Sequence, residues 1–154
     1  ESQYSQTVNL EFVTWSSLKS MREAKELLES SKCNNVGIVV DVLHFYRSRV
    51  LLEEFDTLPK EWFHFIHLCD AEKEIPTEKA ALIHTGRAER LYPGEGVINM
   101  KGIVEKIPHV VRGIEIPHDK RVKEYGLEEH ARKALLKAKE YFGDNEKSMQ
   151  EKIQ

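Results

Sequence analysis

The chain has 154 residues, 40% of them apolar and 32% charged, with a formal net charge of −3. This is the size and composition of one ordinary globular domain. The well-mixed signs give no electrostatic ground for a nucleic-acid or anionic-membrane partner, and no apolar run approaches the roughly 20 residues that span a bilayer.

In chain order, Val8–Val13 has the make-up of a short strand. Ser20-Met-Arg-Glu23 is a capping box, and Met21, Ala24, Leu27 and Leu28 behind it form the apolar face of a helix. Val36–Val42 is mostly β-branched and fits a strand buried on both faces. Ser48–Phe55 has room for one or two helical turns, and Trp62–Cys69 is a second, aromatic-rich strand. Ala71–Gly96 is long and polar, ends in Pro93-Gly-Glu-Gly96, and is expected to be a loop over one end of the sheet. Asn99–Ile107 suits a short helix and Gly113–Pro117 a short strand. Leu127–Phe142 is the clearest helix, with Leu127, Ala131, Ala134, Leu135, Ala138 and Phe142 on one side and Gly143 as its stop. Four strand-helix units in succession imply parallel strands with crossover helices. They amount to half of an eight-fold barrel, which usually takes about 250 residues. The expected organisation is this half barrel over 1–143 and a polar tail over 144–154.

The strand ends carry unusual chemistry. Gly37-Ile-Val-Val-Asp-Val-Leu-His44 and His67-Leu-Cys-Asp70 are apolar runs closed by carboxylates and imidazoles rather than by turn residues. Side-chain alternation places Asp41 on one face with Gly37 and Val39, and His67 with Phe63, Phe65 and Cys69. Glu11 then falls with Asn9 and Val13, and Glu115 with Gly113. Each strand thus offers one potential metal ligand near its C-terminal end: Glu11, Asp41, His67 and Glu115. One imidazole with three carboxylates suits manganese, magnesium or cobalt, with zinc also admitted, and leaves positions for a substrate. Each residue also has a plainer reading: Asp41 as the cap of the following helix, His67 as a hydrogen-bonded core histidine, Glu11 and Glu115 as salt-bridge partners.

Leu10-Glu11-Phe12, Val40-Asp41-x-x-His44, His67-Leu-x-Asp70, Arg90-x-x-Pro93-Gly-x-Gly96 and Ile114-Glu115, in this order, resemble the xylose isomerase-like TIM-barrel superfamily over residues 8–142, in its C-terminal half. That superfamily contains sugar isomerases and epimerases, inosose and dehydroshikimate dehydratases, and family 2 AP endonucleases. The resemblance implies that Glu11, Asp41, His67 and Glu115 bind the metal and that His44 and Arg90 touch substrate oxygens. It further implies a sugar or polyol substrate held by two neighbouring oxygens, with Glu11 and Glu115 moving a proton next to a carbonyl through an enediolate. A dehydratase would use the same parts to expel water; a chain without catalysis of its own, a fragment or an assembly half, is the other reading. The segment between His67 and Arg90 is longer than in compact ketose epimerases. Where the nuclease branch has an Asp-x-His pair, this chain has Glu89 and Leu91, and leucine cannot ligate.

Among the remaining residues, Asp70 suits a turn, or the orienting of His67. His64 is expected on the opposite face from His67, under a helix. His118, near Glu115, suits solvent or the edge of the site, Arg87 a solvated loop charge or a partner for a substrate phosphate or carboxylate, and Trp15 a pocket wall or a staple on the helix. Cys33 and Cys69 form no Cys-x-x-Cys pair and suit a reducing, cytoplasmic compartment. No secretory signal is expected, and the start at Glu1 rather than Met is expected of a processed product or a piece of a longer protein. Half a barrel leaves strand edges open, so pairing as a homodimer or with an N-terminal half is expected.

Overall fold

The computed structural model describes residues 6–143; the expected polar tail from Asp144 to Gln154 lies outside the described residues. The elements are β1 (Val8–Glu11), α1 (Met21–Ser31), β2 (Val36–Asp41), α2 (Val42–Arg47), β3 (Phe63–Leu68), α3 (Lys79–Ala88), α4 (Met100–Lys106), β4 (Val111–Ile114), α5 (Asp119–Tyr125) and α6 (Leu127–Phe142), with 3-10 turns at Leu52–Thr57 and Lys60–Trp62. The strands form one sheet in the order β1-β2-β3-β4, with β1 parallel to β2 and β2 parallel to β3. Strands in sequential order with helices between them make this part of a TIM barrel.

The chain divides into two compact units. One runs to His67 and takes in Asn99–Gly113; the other holds Leu68–Ile98 and the chain from Ile114 onward. In the first unit, α1 starts as expected: Ser20 accepts from the Glu23 N–H, and the Glu23 carboxylate accepts from Ser20 N–H. Met21, Ala24 and Leu28 are buried, whereas Leu27 is exposed. Ile38, Val40 and Ile66, which lie on one face of β2 and β3, have no exposed surface. Phe55, in the 3-10 turn, continues this core, with its ring 5.4 Å from Phe45 and 5.2 Å from Phe63.

A β-bulge corrects the expected face of Phe63. Ile38 pairs with Phe63, but the next residue, Val39, pairs with Phe65. His64 is thus the extra residue, and alternation restarts after it. Phe63 lies on the buried face with Ile38, while Phe65 and His67 lie on the face of Val39 and Asp41. His64 is not under a helix: its Nδ1–H donates to Asn9 Oδ1 at 2.6 Å.

Three further expectations are corrected. The segment Ala71–Gly96 is no continuous loop, since it contains α3. The apolar run through Val42 is not all strand: the helix begins at Val42, and the turn expected over Ser48–Phe55 is instead 3-10 from Leu52. In the second unit α6 has the expected bounds, and Gly143 ends it at φ 80°. Its buried line, however, is His130, Ala134 and Ala138, while Leu127, Leu135 and Leu136 are exposed. Spacing of four residues puts these three on one line of the helix. Among the described residues no helix is long and apolar enough to cross a membrane.

Candidate metal centre

Asp41 closes β2 and opens α2, and its two carboxylate oxygens point to different tasks. Oδ1 accepts the Leu43 N–H at 2.8 Å, which caps the helix. Oδ2 lies 4.0 Å from His67 Nδ1. Asp41 and His67 are directly paired across the parallel strands β2 and β3, so their side chains leave the sheet on the same face. Glu11 ends β1 opposite Val39, and its Oε1 lies 3.6 Å from the same His67 nitrogen. One ligand atom from each of Glu11, Asp41 and His67 lies within 4.8 Å of the others.

Separations of 3.6 and 4.0 Å exceed normal hydrogen-bond length. They fit a shared cation better. Nitrogen and oxygen ligands sit about 2.0–2.2 Å from a metal such as zinc, so neighbouring ligands of one ion stand roughly 3–3.5 Å apart. Two carboxylates facing one imidazole also concentrate negative charge where a cation would lie. The donor set, one nitrogen and carboxylate oxygens with no thiolate, fits a divalent ion with open positions. The Phe65 ring meets His67 edge-on at 5.1 Å and fixes its plane. Phe65 itself lies over Gly113, where a Cβ would stand 2.8 Å from the ring.

His44 lies on α2, one turn beyond Asp41, and is 2% exposed. Its Nδ1 accepts from Thr14 N–H at 3.3 Å and lies 2.8 Å from Thr14 Oγ1. Trp15 packs edge-on against the imidazole at 4.8 Å. Thr14 and Trp15 follow β1 closely, so the turn that leaves the Glu11 strand also seats His44.

Arg90 and Glu115 meet in the second unit. Arg90 is 5% exposed. Its Nε donates to Gly86 O at 2.7 Å, and Nη1 donates to Glu115 Oε2 at 3.1 Å and to Glu115 O at 3.3 Å. β4 starts earlier than the expected Gly113 and ends at Ile114. Glu115 still donates its N–H to Leu68 O at 3.1 Å, continuing the pairing one residue further. Arg90 thus holds a carboxylate directly.

Asp70 does not sit in the expected turn: it forms an antiparallel bridge with Leu91. Its buried carboxylate accepts N–H groups from Ala71, Gly94, Gly96 and Ile98. His118 is the N-cap of α5, accepting from Arg121 N–H at 3.4 Å; burial, with Arg121 beside it, lowers its pKa. His130 is buried between Tyr92 OH at 2.8 Å and Ile116 O at 2.7 Å, a role the sequence reading did not assign. Its signal was the four-residue spacing to Ala134 and Ala138. Thr14 was missed too, since a threonine after a strand carries no distinctive mark.

A partial barrel of parallel strands, with carboxylates and an imidazole gathered at C-terminal strand ends, belongs to the class of TIM-barrel proteins that build their sites at that face. The family model for the xylose isomerase-like TIM barrel matches residues 2–141, and the chain belongs to this family. A solved structure of IOLI protein with a bound zinc atom is similar at TM-score 0.69 and 22% identity, over 90% of this chain and 48% of that one. A xylose isomerase domain protein from Alicyclobacillus acidocaldarius is similar at TM-score 0.59 and 23% identity, over 86% of this chain and 52% of that one. A xylose isomerase domain-containing protein from Salmonella typhimurium is similar at TM-score 0.64 and 16% identity, over 84% and 49% respectively. The chain therefore spans about half the length of these solved structures. No curated protein matches the sequence.

Proposed function

We propose that this protein is a metal-dependent isomerase or epimerase of a sugar or sugar phosphate. The observation that carries this reading is the convergence of Glu11 and Asp41 on His67 Nδ1, at 3.6 and 4.0 Å. Glu115, one residue past β4, is proposed as the fourth ligand, because the other three also stand at C-terminal strand ends. A bound divalent ion, whether manganese, magnesium, cobalt or zinc, would supply the charge that holds two neighbouring substrate oxygens and favours loss of a proton beside a carbonyl. Glu11 and Glu115 are the groups proposed to take that proton and return it. His44, seated by Thr14, is assigned to a substrate oxygen, and Arg90 to the substrate side of Glu115. The IOLI relative holds zinc, which supports a divalent ion here without selecting one.

A small polyol is the proposed partner rather than nucleic acid, since the net charge is −3 and Leu91 stands where the nuclease branch has a ligand. Cytoplasmic location is proposed because neither exposed Cys33 nor buried Cys69 is in a disulfide. The test is solvent exchange. With each metal in turn, ketoses and inososes in deuterium oxide should gain deuterium at the carbon next to the carbonyl. Water loss would instead mark a dehydratase, and a full panel with neither exchange nor turnover would overturn the reading.

A further inference from the structure

Asp70 lies two residues beyond β3, and its side chain is more heavily bonded than a turn requires. It is 1% exposed. Oδ1 accepts the N–H of Ala71 and of Ile98, each at 2.9 Å, and Oδ2 accepts the N–H of Gly94 and of Gly96, each at 3.0 Å. An Asx turn would take its donor two residues on; here the one local donor is the adjacent Ala71 N–H. The other three come from residues distant in sequence. Burying a carboxylate is costly unless donors replace its water, and here backbone amides do so with charge-assisted bonds. Asp70 N–H also donates to Leu91 O, and Leu91 N–H to Asp70 O, each at 2.9 Å. Gly96 leaves the room required: a Cβ there would stand 2.6 Å from Asp70 Oδ1. The turn Tyr92–Ile98 is therefore tied at both ends to one carboxylate and its own peptide.

Arg90 immediately precedes this tie. The Arg90–Glu115 pair is exposed on its Glu115 side, at 44% of that side chain, and such pairs hold their geometry weakly by Coulomb attraction alone. Orientation has to come from the buried partner. Arg90 is fixed through Nε to Gly86 O and through its following peptide to Asp70. We infer that Asp70 is a positioning residue of the metal centre, holding Arg90 and, through Arg90, the Glu115 carboxylate in place for a cation. This rests on the proposed role of Glu115 as a ligand.

The test uses zinc alone, titrated against a chromophoric chelator. Glu115→Gln reports the ligand assignment, and Asp70→Asn the positioning. Outer partners of metal ligands typically contribute 10–100-fold in affinity, so Asp70→Asn should weaken zinc about 10-fold. The double variant Asp70→Asn/Glu115→Gln should bind no more weakly than Glu115→Gln, whereas Asp70→Asn with Glu11→Gln should lose the product of the single effects. A general loosening of the fold would multiply in both pairs. Multiplication with Glu115→Gln, or no loss in folded Asp70→Asn, overturns the inference while the ligand assignment stands. No loss in Glu115→Gln overturns the assignment and the inference with it. Should Asp70→Asn not fold, the unsubstituted protein decides. Saturating zinc should slow amide hydrogen exchange at Gly94, Gly96 and Ile98, because coupling is reciprocal, and Glu115→Gln should abolish the slowing. Equal rates with and without zinc overturn the inference.

Discussion

His64 occupies the space above Gly37: a Cβ at position 37 would stand 2.5 Å from His64 Cε1 and 2.6 Å from Trp62 O. The absent side chain in the middle strand lets a β3 imidazole cross β2 and donate to Asn9 on β1. Gly37→Ala should therefore break the His64–Asn9 bond and strain the Trp62 backbone. Overpacking of this kind costs about 1–3 kcal/mol, to be measured as a lower midpoint in urea unfolding. Gly37→Ala with His64→Ala should recover only part of it, because the Trp62 carbonyl remains.

Asp41 can be divided by substitution. Asparagine caps helices about as well as aspartate, so Asp41→Asn should keep α2 and lose divalent-ion binding. Asp41→Ala should lose the ion and also about 1 kcal/mol of stability. Thermal unfolding without metal, beside a zinc titration, checks both. Asp41→Ala with His67→Ala should abolish binding; full occupancy in that double variant would show that the ligands lie elsewhere.

His118 gives a pH dependence with a definite sign. Burial, aided by Arg121, holds its pKa below the ordinary value of 6.5, and its ring accepts the Arg121 N–H in the neutral form. Below about pH 6.5 the unfolded chain takes up a proton that the folded chain declines. Stability from this residue is thus complete above that value and falls as pH drops through the lowered folded pKa. His118→Asn keeps a capping acceptor and should flatten this part of the pH profile of thermal unfolding between pH 7.5 and 5. An unchanged slope would assign it to other groups.

The sheet edges make a prediction about assembly. Among the described residues β1 and β4 are the outer strands, and their Val8 and Val111 are 57% and 63% exposed. Apolar, unpaired edges attract further strands. Light scattering at micromolar concentration should give a mass above the 17.9 kDa of one chain, either from a second copy or from a bound partner segment. A cooperatively unfolding monomer would count against it.

The sequence was most legible where local chemistry decides the outcome. The Ser20–Glu23 box and the Gly143 stop are short-range signals, and α1 and α6 begin and end where those signals place them. α3 was hidden because Glu78 makes no capping bond at its start and Gly86 interrupts its interior. α2 was hidden because no linker separates it from β2: Val-Val-Asp-Val-Leu is apolar enough to pass for one strand. The exposed leucines of α6 show the limit of hydrophobic counting, since the buried line is His130, Ala134 and Ala138. At the site, alternation placed Glu11, Asp41 and His67 on one face. The Asp70 cradle was out of reach, because its donors are amides brought together only by folding.

The extra residue in β3 has an evolutionary consequence. Moving a strand by one position normally turns every later side chain over, so most strands that carry ligands tolerate no change in length. Here Phe63 and Phe65 keep their own partners on either side of His64. A lineage could drop that histidine, regularise the ladder and still present His67 beside Asp41, losing only the link to Asn9. Among the positions of this strand, His64 is therefore the one where a codon can be gained or lost without disturbing the chemistry at His67, three residues further on.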